Sequence, residues 1–278
     1  METIKLTDAQ LQELTKHATS IRRNIISMVT EAKSGHPGGS LSATDILTVL
    51  YFHVLKTGAD QATDPNRDRF VLSKGHAAPV LYSVLAERGY FPQEELLTFR
   101  KIDSRLQGHP SMKDVPGVDM STGSLGQGLS AANGMALAAR LDNRDYRVYA
   151  MLGDGELEEG QVWEAAMLTA HYKLDNVTAF VDYNGLQIDG PIGEIMSPLP
   201  IPEKWRAFGW NVLEIDGHDY QAIYDAVQIA QTVKGKPTMI VARTVKGKGV
   251  CQMENVVDWH GKAPTAEQCE LFLQDLLD

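Results

Sequence analysis

Tyr146-Arg147-Val148-Tyr149-Ala150-Met151-Leu152 is an apolar run that ends in Gly153-Asp154-Gly155-Glu156. A helical stretch follows over 158–173. A second apolar run, Val177-Thr178-Ala179-Phe180-Val181, ends in Asp182-Tyr183-Asn184. Strand, Gly-rich turn, helix, strand is one βαβ unit, and it predicts parallel strands in an α/β fold. Asp154 and Asn184 then stand at the carboxyl ends of adjacent strands, the rim where open α/β sheets bind ligands. A carboxylate and an amide carbonyl are hard oxygen donors. With a backbone carbonyl near Asn184 and the diphosphate oxygens of a ligand, they can complete an octahedral Mg²⁺ site. Gly153 and Gly155 permit close backbone approach, and the N–H groups after Asp154 begin a helix and can face a diphosphate. Gly-Asp-Gly alone is ordinary turn chemistry. Asn184 at the end of the next strand is what makes it a candidate site.

Outward from this unit, the 278 residues are 43% hydrophobic and 22% charged, enough for one large globular domain with a core. The net charge of −10 argues against nucleic acid or an anionic membrane as partner. Cys251 and Cys269 form no C-x-x-C pair or metal cluster, which points to a reduced, cytoplasmic setting. The N-terminus has no apolar signal core, and no apolar run spans a bilayer.

The N-terminal residues 8–33 predict a long helix, capped by Thr7 with Gln10 and carrying one apolar face through Leu11, Leu14, Ala18, Ile21, Ile25 and Met28. It stops at Ser34-Gly35-His36-Pro37-Gly38-Gly39. Ser40 or Ser42 is the expected cap of a second helix running to about Lys56. A strand is expected over 68–73, then Lys74-Gly75-His76-Ala77 opening a helix over 80–88. Residues 92–120 are turn-rich and contain Gln107-Gly108-His109-Pro110. A loop of that length in a compact domain is usually functional or mobile. Thr122-Gly123-Ser124-Leu125-Gly126-Gln127-Gly128 precedes a helix through Leu141. Residues 191–202 are expected as loop, 210–215 and 237–242 as strands, 220–233 as a helix, and 265–278 as a short amphipathic tail. Lys246-Gly247-Lys248-Gly249 reads as a solvated turn rather than a phosphate loop.

Of the eight histidines, His17, His53 and His171 lie inside helical patterns and His218 in a turn before a helix. His36, His76, His109 and His260 each adjoin Gly or Pro in a loop. Taken singly, each is as well explained by an ordinary exposed connector. Four converging on one sheet rim would be unusual without a ligand, and their spacing rules out a local zinc set.

The blocks Gly153-Asp154-Gly155, Glu158-Glu159-Gly160, Asp182-Tyr183-Asn184 and Ile188-Asp189-Gly190 resemble the thiamine diphosphate motif of the transketolase family. The likeness extends, in family order, to Ser34-Gly35-His36-Pro37-Gly38, Ser73-Lys74-Gly75-His76, Gly108-His109-Pro110, the 122–128 turn and Trp259-His260-Gly261. It implies a single three-layer α/β domain over residues 1–278, with a mostly parallel central sheet flanked by helices. It implies thiamine diphosphate and Mg²⁺, with Ca²⁺ as the alternative metal, and transfer of a two-carbon ketol unit from a ketose phosphate to an aldose phosphate. Residue by residue, Asp154, Asn184 and the Leu186 carbonyl match the metal ligands. Gly123, Ser124, Leu125, Gly153, Gly155, Ile188, His76 and His260 match cofactor contacts. His36, His76, His109 and His260 match sugar-contacting residues, with a His as the base for the C3 hydroxyl. Glu159 matches the partner of the family's catalytic glutamate. Many relatives carry Pro where Ser124 stands, a difference of loop stiffness.

That catalytic glutamate belongs, in the family, to a following pyrimidine-binding domain, and the sequence ends at Asp278 soon after Trp259-His260-Gly261. The expectation is a two-chain enzyme: this chain, a C-terminal transketolase subunit carrying the pyrimidine-binding half, and an α2β2 assembly. Rival readings are a component of a deoxyxylulose-phosphate synthase-like or 2-oxoacid dehydrogenase enzyme, a non-catalytic cofactor-binding subunit, or an engineered fragment of a longer enzyme.

Overall fold

The computed structural model describes residues 4–277. Five parallel strands form the central sheet: β1 (Arg69–Leu72), β2 (Val148–Gly153), β3 (Val177–Tyr183), β6 (Asn211–Asp216) and β7 (Thr238–Arg243), in the order β1-β2-β3-β7-β6. β4 (Leu186–Gln187) and β5 (Gly190–Pro191) make a separate small hairpin. The helices are α1 (Asp8–Ala32), α2 (Pro37–Val49), α3 (Ala78–Glu87), α4 (Gly128–Leu141), α5 (Gly160–His171), α6 (Ile192–Ile195), α7 (Ile201–Ala207), α8 (Tyr220–Thr232) and α9 (Ala266–Asp275).

The side-chain period of two sorts the central strands between two cores. Tyr149, Met151, Phe180, Ile240 and Ala242 enter a core shared with α1, α2, α3 and α8. Their neighbours Val148, Ala150, Leu152, Ala179, Val181, Met239 and Val241 enter the opposite core with α4, α5 and α7. The sheet is thus sandwiched between helices, the three-layer architecture expected. The edge strand β6 is only partly covered, whereas β2 is buried over Val148–Leu152.

Local chemistry explains most boundaries. Thr7 and Gln10 form the reciprocal cap of α1, which Lys33 ends at φ +50°. The cap expected at Ser40 or Ser42 is a correction: α2 starts earlier, at Pro37, whose fixed φ and missing N–H suit a first helical position. Ser40 instead donates to the His36 carbonyl at 2.7 Å, and Ser42 reaches Asp182 at 2.5 Å. All of α2 is buried, and it passes into a π-helical turn, Leu50–Val54, rather than continuing regularly to Lys56. Residues 191–202, expected as loop, hold α6 and the start of α7. Pro202 occupies the first turn of α7, where the absent N–H removes no helical bond, and Trp205 anchors the segment against Trp163 and Trp210, with centroids 5.1 and 4.9 Å away. The tail is α9, capped by Thr265 and Gln268. Among the described residues no helix is long and apolar enough to cross a membrane.

A close approach seats α4 on the sheet. A Cβ at Gly128 would lie 2.4 Å from Ser73 Oγ and 2.6 Å from its Cα, so only glycine lets the helix start beside the end of β1.

Candidate functional site

β1, β2, β3 and β7 all point their carboxyl ends at one rim, and the loops leaving them surround a cavity of about 510 Å³. Its wall includes His36, His76, His109, Gly123, Leu125, Gly153, Asp154, Gly155, Glu159, Asn184, Leu186, Ile188 and His260. Of the candidate residues only Ser124 stands apart: it is exposed and does not line the cavity.

Asp154 follows the last residue of β2. It is 3% exposed, and its two oxygens accept the N–H groups of Gly155 at 2.8 Å and Gly185 at 2.6 Å. Burial, then the neighbouring Asp182 charge, push its pKa up to about 6. A bound dication would reverse this. Asn184 follows β3, and its Oδ1 accepts the Leu186 N–H at 3.1 Å. No group of three His, Cys, Asp or Glu among the described residues is placed to hold a metal. One carboxylate, one amide oxygen and one backbone carbonyl nonetheless fit a hard cation that takes its remaining ligands from phosphate oxygens and water.

Three imidazoles meet above this floor. Ring centroids are 5.2 Å apart for His36 and His76, 5.4 Å for His76 and His260, and 5.5 Å for His36 and His260. Burial pushes His36 down to about 4, helped by Arg100. It pushes His76 to about 2, helped by Lys74, and His260 to about 3, helped by Lys246. All three are therefore neutral at pH 7, each offering one donor and one acceptor. The Nδ1 of His36 is buried with no partner among the described residues, an unsatisfied atom that a ligand can engage. His109 is more exposed, and burial and Arg100 also lower it. Its ring packs on Gly123, where a Cβ would come within 2.9 Å. In the site as it stands His36, His76 and His260 act as neutral hydrogen-bonding groups, and an anion beside them would raise their pKa.

This has a measurable sign. Between about pH 6.5 and 2, the unfolded chain binds a proton at His76 that the folded chain refuses. Stability from this group is thus present above pH 6.5 and is lost as pH falls towards 2. His76→Gln should flatten the rise of unfolding free energy with pH between 4 and 6 by about 1 kcal/mol per pH unit. Urea melts at several pH values read it; parallel slopes for the two proteins would contradict the assignment.

Several site residues escape sequence reasoning. Lys246 is a correction: it is 2% exposed, not a solvated turn residue, and its Nζ donates to the Leu186 carbonyl at 2.8 Å and lies 2.9 Å from His260 Nδ1. Burial lowers its pKa to about 8. Lys74, equally buried, pairs with Asp182 and donates to the Gly39 carbonyl at 2.7 Å. Glu156 accepts the N–H groups of Gly126 at 2.9 Å and Gly153 at 3.0 Å and the Ser73 hydroxyl, tying the 122–128 turn to the end of β2. Glu159, by contrast, is exposed at the cavity edge, as is Ile188 at 61%. An exposed isoleucine on a cavity wall suits an apolar ring.

The model of the transketolase thiamine diphosphate binding domain matches residues 14–276. The chain belongs to the transketolase family. It is 42% identical, over 96% of its length and 95% of the relative's, to one of the subunits of apulose-4-phosphate transketolase from Phocaeicola vulgatus. It is 45% identical, over 95% and 96%, to the 6-deoxy-6-sulfo-D-fructose transketolase subunit SqwG of Clostridium sp. strain MSTE9. Human transketolase is 44% identical over 99% of this chain but only 44% of its own length. Among solved structures, the transketolase of Campylobacter jejuni superposes with a TM-score of 0.90 at 36% identity, covering 95% of this chain and 43% of that one. The chain thus spans nearly all of the subunit-type transketolase relatives and less than half of the long ones.

Proposed function

We propose that this chain is the diphosphate- and metal-holding subunit of a two-chain, cytoplasmic transketolase that moves a ketol unit between sugar phosphates. The observation that carries the reading is the meeting of His36, His76 and His260 over a floor of Asp154, Asn184 and the Leu186 carbonyl. The relatives of matching length named as transketolase subunits support the two-chain form.

When bound, thiamine diphosphate supplies the carbon centre that carries the transferred unit; the chain's own residues bind, orient and shield. Asp154, Asn184 and the Leu186 carbonyl would hold Mg²⁺, with Ca²⁺ able to take the same hard oxygens. His76 and the Lys246 ammonium are donors available to the diphosphate, and Gly155 lets the backbone approach it closely. His36, His109 and His260 are placed to hydrogen-bond sugar hydroxyls. Each such preorganised donor contributes a few kcal/mol where charge develops. Leu125 and Ile188 offer the apolar contacts.

The chain is expected to co-purify with a C-terminal transketolase subunit bearing the pyrimidine-binding half, as an α2β2 complex. That complex, given thiamine diphosphate and Mg²⁺, should transfer a ketol unit from ketose phosphate to aldose phosphate. Turnover by this chain alone would overturn the two-chain reading. Failure of the complex to bind thiamine diphosphate would overturn the site.

A further inference from the structure

His218 sits just ahead of the N-cap of α8, outside the cavity wall, and sequence reasoning gives it only a place in a turn. Its contacts say more. Its Nδ1 lies 2.7 Å from Asp45 Oδ2, and the Val245 N–H donates to its Nε2 at 2.8 Å. A backbone N–H can only donate. The Nε2 must therefore carry the lone pair, and the ring proton sits on Nδ1 and goes to Asp45. The same Asp45 oxygen accepts from Arg22 Nη2 at 2.6 Å, while Arg22 Nε donates to the Lys248 carbonyl at 3.1 Å. Asp45 and Arg22 are 3% and 8% exposed. One buried carboxylate thus orients two side chains, and these grip the chain on either side of Lys246.

The grip has something to oppose. The Lys246 ammonium is buried, and desolvation disfavours the charge there. A flexible four-carbon stem would swing such a charge to water unless its backbone were fixed. Besides His218 and Arg22, the fixing contacts are Asn255 N–H to the Lys246 carbonyl at 2.9 Å and Gly247 N–H to the Gly38 carbonyl at 3.0 Å. We propose that His218, seated on Asp45, is a positioning residue for Lys246, holding its ammonium against the Leu186 carbonyl and His260 at the diphosphate end of the cavity. The link to cofactor binding rests on the function proposed above; the link to Lys246 does not.

Two neutral amides separate the ring nitrogens. Gln at 218 can place its carbonyl oxygen near the Nε2 position and accept the Val245 N–H. Asn reaches only the Nδ1 position, serving Asp45 and leaving that N–H without an acceptor. Two readouts are needed: calorimetric Kd for thiamine diphosphate with Mg²⁺ in the assembled complex, and the rate of Lys246 acetylation by acetic anhydride, followed by mass spectrometry on the same complex without ligand. His218→Asn should weaken binding about tenfold and speed Lys246 acetylation several-fold, as one lost buried hydrogen bond implies. His218→Gln should stay within about twofold of the wild type in both. Equal behaviour of the two variants, or a fall in melting temperature with affinity and acetylation unchanged, overturns the proposal. If H218N does not fold, H218A with added imidazole replaces it: acetylation of Lys246 should rise and return towards wild type on imidazole addition, and an unresponsive rate overturns the proposal. A wild-type complex that binds no thiamine diphosphate refutes the functional reading, while the acetylation contrast still decides the role of His218.

Discussion

Asp154→Asn should cost the protein its grip on thiamine diphosphate and Mg²⁺, by about 100-fold or more, with the fold intact. Of the three oxygen donors at the cavity floor, only Asp154 carries charge, and a hard dication draws most of its binding energy from that charge. The substitution keeps shape and volume. One of the N–H groups of Gly155 and Gly185 loses an ideal acceptor, a cost of about 1–3 kcal/mol. Relief of a buried carboxylate that burial and Asp182 already disfavour offsets part of it. The measurement is a calorimetric titration of Mg²⁺ and then Ca²⁺ at saturating thiamine diphosphate, beside a thermal melt of the ligand-free protein. Affinity within a few-fold of the wild type would move the metal to other ligands.

The largest effect on stability is expected from Lys74→Met, about 3–5 kcal/mol, or a fall in melting temperature on the order of 10 °C. Lys74 and Asp182 are 2% and 0% exposed and form an ion pair. Burial acts to raise the Asp182 pKa. The Lys74 charge and the bonds from Lys74, Ser42 and Thr244 override it and hold the carboxylate below its ordinary value. Removing the ammonium leaves that carboxylate uncompensated and the Gly39 carbonyl without its donor. The double variant Lys74→Met with Asp182→Asn should recover a large part of the loss, and the four melts of that cycle give the coupling directly. A single variant melting within about 2 °C of the wild type would show that solvent or another cation replaces the lysine.

These two residues also mark the limit of what can be read from the chain. Two short continuous apolar runs, each ending in a turn, place Asp154 and Asn184 at strand ends, a local inference. Flanking glycine and proline place His36, His76, His109 and His260 in loops, which an ordinary connector explains as well; their candidacy comes from the resemblance to transketolases. Their neutrality is not legible, because it comes from burial by distant segments. Lys74 and Asp182 stand 108 positions apart, and no spacing rule joins them. Lys246 carries a turn's composition, Lys-Gly-Lys-Gly; the start of α2 at Gly38 and the 255–260 segment pack on it, and no local spacing rule announces either contact. Ser40 and Ser42 look like caps because serine caps helices well, yet Pro37 sets the helix start ahead of both. The layered fold itself was legible in the first βαβ unit, and the small hairpin and α7 were hidden behind prolines that mimic loop composition.

The wall of the cavity draws on segments far apart in sequence. His36 and Gly39 lie at the start of α2 and His260 in the turn before α9, and the Arg22 contact to the Lys248 carbonyl spans 226 positions. During synthesis the sheet strands β1, β2 and β3 can emerge and pair while the pocket still lacks Lys246 and His260. Contacts this remote in sequence are the slowest to close. A ribosome-bound nascent chain should therefore hold cofactor weakly until the 246–260 segment has cleared the exit tunnel, so that this chain's share of the pocket closes only after its sheet has formed.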